Sequence, residues 1–162
     1  MVQKIKDLPA ALAGAFELGP TAVIQQFIRG EEATCGVLET PDGIRALPPV
    51  HIKAKAGEFF DYESKYAPGG SDEIVPADFE PEVIAELQQI ALKAHEILGC
   101  SGYSRTDMMI RKSDGEIFVL ETNALPGLTE ASLLPKEAKA AGMNFSQLLD
   151  VIIQNALKRK NV

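Results

Sequence analysis

Arg105, Asp107, Glu121 and Asn123 offer one cation, two carboxylates and an amide, each pair two residues apart. They fall in two strand-like runs, Ser101 to Lys112 and Glu116 to Asn123, with the turn signal Ser113-Asp114-Gly115 between them. A loop of those three residues sets Lys112 opposite Glu116. Counting back then sets Asp107 opposite Glu121 and Arg105 opposite Asn123, each pair on one face of the hairpin. Two carboxylates so placed repel unless something positive lies between them. One resolution is a divalent cation held by both carboxylates and an amide oxygen, a hard site of the Mg²⁺ type that also grips a nucleotide's phosphates. The other is a solvated pair neutralised by Arg105. A two-residue Asp114-Gly115 loop would shift the pairing by one and turn Glu121 to the opposite face.

The elements that must position these groups come from a chain of 162 residues, enough for a single domain with a real core. With 23 acidic against 16 basic residues and a net charge of −7, it does not suit a general nucleic-acid surface. An anionic ligand remains compatible, because a metal and a few placed cations reverse the field locally. Cys35, Cys100, His51 and His95 form no pair of zinc-ligand motifs, so zinc is not expected, and the cysteines are expected to be buried thiols. The N-terminus lacks a signal-peptide core and no apolar run is long enough to span a bilayer, so the expected compartment is the cytoplasm.

Asp7 is placed to cap a helix from Leu8 to Leu18, stopped by Gly19-Pro20. Thr21 to Arg29 reads as a strand, Glu32 to Thr40 as its partner, and Ile44 to Lys53 as a third strand beyond the Pro41-Asp42-Gly43 turn. From Ala54 to Glu80 the periodicity fails while aromatic residues persist, which suggests a mobile lid-type loop. Pro81 to Leu98 is a helix by its apolar spacing, with His95 expected on its surface. A short helix within Thr129 to Ala141 follows the hairpin. Asn144 then caps a last helix whose stripe Phe145, Leu148, Leu149, Ile152, Ile153, Ala156 and Leu157 is expected in the core. The order predicts an α+β fold, an antiparallel sheet with packed helices.

Four blocks in order carry a resemblance. They are Phe27-Ile28-Arg29-Gly30-Glu31-Glu32, Asp61-Tyr62-Glu63-Ser64-Lys65-Tyr66, Gly102-Tyr103-Ser104-Arg105-Thr106-Asp107, and the run Glu121-Thr122-Asn123-Ala124-Leu125-Pro126-Gly127-Leu128-Thr129-Glu130-Ala131-Ser132-Leu133-Leu134-Pro135. From about Ile5 to Leu157 the chain resembles the C-terminal subdomain of D-alanine–D-alanine ligases, of the ATP-grasp superfamily. The resemblance implies ATP-dependent joining of two D-alanines through an acylphosphate, for peptidoglycan precursors and hence cell-wall biogenesis and cell shape. Asp107, Glu121 and Asn123 match the ligands of Mg²⁺ or Mn²⁺. Arg105 matches the arginine that polarises the acyl carbonyl and steadies the oxyanion, assisted by the backbone N–H of Gly127.

Further implied roles place Lys65 and Tyr66 over the γ-phosphate and the second substrate, with Tyr66 fitting the dipeptide-forming type. Ser132 and Leu133 match the pocket of the second D-alanine's carboxylate. Glu32 matches the carboxylate that holds the ribose, Ile28 the backbone N–H at adenine and Leu120 a position at the adenine; Met109 shares a sheet face with Asp107 and could wall the base, although Met109 and Leu120 both also suit a hydrophobic core. Gln25 stands where the family usually has a glutamate. The family's N-terminal region and middle subdomain, the latter with a lysine and a Gly/Ser-rich loop over the phosphates, have no counterpart here, so the chain is expected to be inactive alone. The rivals are another ATP-grasp carboxylate–amine ligase, or a non-catalytic module that binds nucleotide, a partner or a second copy.

Overall fold

A computed structural model describes residues 2, 4–54 and 71–159. A short 3-10 turn leads into α1 (Leu8–Leu18), followed by β1 (Gly30–Thr40), β2 (Gly43–Ala46), β3 (Val50–Ala54) and β4 (Ser71–Ile74). Next come α2 (Pro81–Ile97), β5 (Tyr103–Arg111), β6 (Ile117–Asn123), α3 (Leu133–Ala140) and α4 (Phe145–Arg159). The strands form one antiparallel sheet in the order β4-β3-β1-β5-β6, with β2 also on β1. The expected α+β architecture is the observed one.

Alternation along β1 and β5 divides the sheet into two faces. On one, Ala33, Cys35, Val37, Met108 and Ile110 pack on Leu87 and Ala91 of α2. Burying each large apolar side chain there is worth about 1.5–3 kcal/mol. On the other face, Leu38 and Leu47 meet Leu134 and Ala138 of α3 and Leu148 of α4. These two helices cover only one end of that face, and the rest is an open cleft.

Several expectations need correcting. Thr21 to Arg29 carries no strand assignment, and Val23, Ile24 and Phe27 are exposed. Its β-branched content suits a sheet, yet no described strand pairs with it; β1 instead lies between β3 and β5. The third strand is split into β2 and β3 because Pro48 and Pro49 lack the N–H a ladder needs. Within the supposed lid loop, Ser71–Ile74 is a strand on β3, with Ile52 opposite Glu73; residues 55–70 lie outside the described residues. His95 is not a surface residue but 1% exposed, its Nδ1 2.8 Å from the Ser104 hydroxyl. It continues the Leu87–Ala91 line at four-residue intervals, which turns it to the sheet.

The last helix is only partly core along its stripe. Ile153, Ala156 and Leu157 are exposed, whereas Asn155 is buried and donates to the Glu39 carbonyl. Its expected cap is present. Asn144 Oδ1 accepts from the Gln147 N–H at 2.9 Å and Gln147 Oε1 accepts from the Asn144 N–H at 2.8 Å.

The hairpin turn also differs. Arg111 N–H bonds the Glu116 carbonyl across a four-residue loop of residues 112–115, so Ile110, Met109 and Met108 face Ile117, Phe118 and Val119. A β-bulge then leaves Leu120 unpaired, and beyond it Asp107 faces Glu121 and Arg105 faces Asn123.

Candidate functional site

Asp107 is the centre of the cleft floor. It lies on β5 opposite Thr34 of β1 and Glu121 of β6, and it is buried. Thr34 Oγ1 donates to Asp107 Oδ1 at 2.6 Å. Arg105, two residues back on the same face, donates Nε to Oδ1 at 2.8 Å and Nη2 to Oδ2 at 2.9 Å. Asn123 Nδ2 donates to Oδ2 at 3.3 Å. Burial works against the Arg105 charge, but its hydrogen bonds to Asp107 and the charges of Asp107, Glu137 and Glu121 outweigh it and hold the guanidinium more firmly protonated.

The cleft has a volume of about 530 Å³, within the range of small-ligand sites. Its floor is Glu32, Ile52, Arg105, Asp107, Glu121 and Asn123, and its rim is the loop from Leu125 to Leu133. That loop folds tightly: Ser132 Oγ accepts from the Thr129 N–H at 3.1 Å, and a Cβ on Gly127 would lie 2.9 Å from the same oxygen. Only glycine lets the main chain come so close. At the mouth, Lys136 of α3 pairs with Glu73 of β4 at 2.5 Å.

The structure therefore brings together Arg105, Asp107, Glu121, Asn123, Gly127, Ser132, Leu133 and Glu32. Met109 is the cross-strand neighbour of Glu32, so it extends the same face. Leu120 is the bulge residue and is 40% exposed. Gln25 and Ile28 lie in the 21–29 segment, away from this cleft's lining. Lys65 and Tyr66 lie outside the described residues.

Two buried polar groups packed behind the cleft floor were not anticipated. Thr34 could have been found, since it stands two residues from Glu32 on one strand and so shares its face. Glu137 is the other. It is fully buried, with Oε1 accepting from the Gly36 N–H at 2.9 Å and no hydrogen-bond partner for Oε2 among the described residues. Burial pushes its carboxyl well up, while the Gly36 bond and Arg105 pull the other way. Burial also raises the Cys35 thiol, as does the Glu137 charge; Cys35 is the buried thiol expected, whereas Cys100 is only partly buried.

Facing carboxylates with an amide beside them fit a magnesium-type cation, whose remaining positions are commonly filled by water and phosphate oxygens. No cluster of three or more His, Cys, Asp or Glu able to hold a metal occurs among the described residues. Among the described residues no helix is long and apolar enough to cross a membrane.

Comparison with known proteins places the chain in a family. A D-alanine–D-alanine ligase of Nitratidesulfovibrio vulgaris (strain DP4) is 45% identical over 153 residues, covering 94% of this chain and 49% of the relative. One from Leptospira interrogans is 47% identical over 158 residues, covering 95% and 44%. The structure of a D-alanine–D-alanine ligase from Bacillus anthracis complexed with ATP superposes with a TM-score of 0.82 at 36% identity, over 99% of this chain and 49% of that one. The VanG D-Ala:D-Ser ligase from Enterococcus faecalis gives 0.79 at 36% identity, over 93% and 43%. The chain thus spans about half the length of the relatives it matches. A family profile described as the D-ala D-ala ligase C-terminus matches residues 1–154, and the chain belongs to that family.

Proposed function

We propose that this chain supplies the cation-binding and acyl-transfer half of an ATP-dependent D-alanine–D-alanine ligase site. The observation that carries the reading is the pairing of Asp107 with Glu121 and of Arg105 with Asn123 on one cleft floor. Asp107, Glu121 and Asn123 would hold Mg²⁺ or Mn²⁺. When bound, such an ion neutralises charge on the oxygens of a transferring phosphoryl group. Arg105 aims a permanent charge into the cleft, where it would polarise an acyl carbonyl and hold the oxyanion that forms as an amine attacks. The Gly127 N–H would assist it, and Ser132 and Leu133 would seat the carboxylate of the second amino acid. Glu32 would hold the ribose of the nucleotide.

The product would be a D-alanine dipeptide for peptidoglycan, made in the cytoplasm. Because the E. faecalis D-Ala:D-Ser ligase is also similar, at 36% identity, D-serine is the rival second substrate. The cleft is walled on one side only, so the isolated chain should bind Mg-ATP weakly and turn over nothing. Calorimetry with Mg-ATP tests this. Heat at millimolar nucleotide that Asp107→Asn abolishes supports the reading, and its absence refutes nucleotide binding. Dipeptide formation by this polypeptide alone would overturn the half-site view.

A second reading draws on α1, the 3-10 turn before it and the 21–29 segment, where Ile5, Leu18, Val23 and Ile24 are exposed. A surface of that kind suits a partner chain or a second copy. Sedimentation showing a concentration-dependent dimer would favour it.

A further inference from the structure

Arg105 lies between two carboxylates, and the proposed cation competes with it for one of them. Its present partner, Asp107, is engaged through both oxygens. A cation bound by Asp107 would need at least one of those oxygens, and a guanidinium cannot share it without facing a like charge. The arginine must then have somewhere else to go.

The sheet provides that place. Gly36 of β1 is the register partner of Arg105. Its N–H bonds Glu137 and its carbonyl accepts from Leu47, so both point away from β5. Gly36 and Arg105 are therefore a non-hydrogen-bonded pair, the kind in which opposing side chains come closest. Glycine has no side chain to fill its half of that space, and the Glu137 carboxylate fills it: a Cβ on Gly36 would lie 2.5 Å from Oε2. That oxygen is buried and is the one without a hydrogen-bond partner among the described residues. An unused acceptor beside an arginine that must be displaced is a structural pairing in waiting, because a buried acceptor left unbonded loses the hydrogen bonds water would have given it.

We propose that Glu137 is the second seat of Arg105: when a divalent cation takes Asp107, the guanidinium swings from Asp107 to Glu137 Oε2 and keeps its remaining N–H groups for the substrate. Glu137 is thus a positioning residue acting through Arg105. The inference rests on the cation reading above and adds a residue that reading does not contain. It also explains the burial of a carboxylate where an apolar side chain would pack at lower cost.

The test is Mn²⁺ titration of this 162-residue chain, with free Mn²⁺ followed by electron paramagnetic resonance. It compares wild type, Glu137→Gln, Arg105→Met and the double variant. Gln is isosteric and keeps an acceptor for the Gly36 N–H, so the fold is retained. Arg105→Met alone should tighten Mn²⁺ by removing its competitor. Glu137→Gln should weaken Mn²⁺ about tenfold, a coupling typical of one ion-pair network, and should do so only when Arg105 is present. Equal weakening in both backgrounds, or none in either, overturns the proposal while leaving the cation site standing. Failure of both wild type and Arg105→Met to bind Mn²⁺ removes the cation site and the proposal together. A second readout needs no Glu137 variant. Adding Mg²⁺ to the labelled wild type should shift both the Arg105 Nε–H and the Glu137 carboxyl resonances, and an unmoved Glu137 carboxyl signal overturns the proposal.

Discussion

Strand β5 carries an arginine near each end of one face, and each grips an aspartate through Nε and Nη2. Arg105 holds Asp107 at 2.8 and 2.9 Å. Arg111 holds Asp114 at 2.7–3.0 Å and also pairs with Glu116. The geometry is alike, but the surroundings differ. Side-chain exposure is 17% and 8% for the Arg105 pair against 30% and 48% for the Arg111 pair. In water an ion pair gains little, because solvent already satisfies both charges. In the cleft the same fork is the condition for burying either charge at all. Arg111 ties down a turn, whereas Arg105 is a tool held in place until needed.

The contrast is broken most severely by Asp107→Ala, which leaves the Arg105 charge buried and Thr34 without its acceptor carboxylate. It should cost about 3 kcal/mol in urea unfolding, as expected when one partner of a buried pair is removed. Next is Gly36→Ala. The added methyl would lie 2.5 Å from Glu137 Oε2 and from Leu134 Cδ1, and the resulting shift should cost about 1–3 kcal/mol. Combining it with Glu137→Ala should return part of that loss, which thermal melts of the single and double variants would show.

A third change sharpens the comparison through pH. The folded Glu137 carboxyl titrates well above 4.5, mainly because it is buried. The fold therefore favours its protonated form, and that contribution is complete below the unfolded value and is lost as pH rises towards the folded one. Glu137→Gln carries no such penalty. Its melting temperature should exceed wild type at pH 7–8, and the gain should vanish near pH 4. The smallest effect belongs to the exposed end. Asp114→Ala should leave the urea midpoint indistinguishable from wild type at moderate salt, even though the Asp114 carboxyl is held below its usual range chiefly by Arg111.

Much of this was legible beforehand, and the hairpin shows why. The Asp107–Glu121 pairing was reached through a three-residue loop, yet the loop has four residues and the register beside it is displaced by one. The bulge at Leu120 absorbs the difference. It also solves a problem of parity. Ile117 packs against the core while Glu121 and Asn123 line the cleft, although all three are odd-numbered on one strand. A regular strand would send them to one face; a single inserted residue sends them to two. Nothing in local propensity marks that insertion.

The segment from Thr21 to Arg29 misled for the opposite reason. Its pattern is that of a strand, but a strand also needs a neighbour, and propensity is silent about neighbours. His95 and Glu137 were missed because polar residues are read as solvent-facing by default. Each nonetheless sits in step with apolar residues on its own helix, His95 after Leu87 and Ala91, and Glu137 three after Leu134. The Gln25, Ile28, Lys65 and Tyr66 assignments came from family resemblance and depend on segments away from the described cleft or outside it.

Pro48 and Pro49 interrupt the edge where β2 gives way to β3, and the Gly36 amide beside them bonds a helix carboxylate. That helix begins directly after Ser132, at the rim of the cleft. The rim is consequently anchored to main chain, not merely leaned against it. Anything wedged beneath Ser132 pulls on a tether ending at the residue opposite Arg105, so the rim and the floor of this cleft must yield together or hold together.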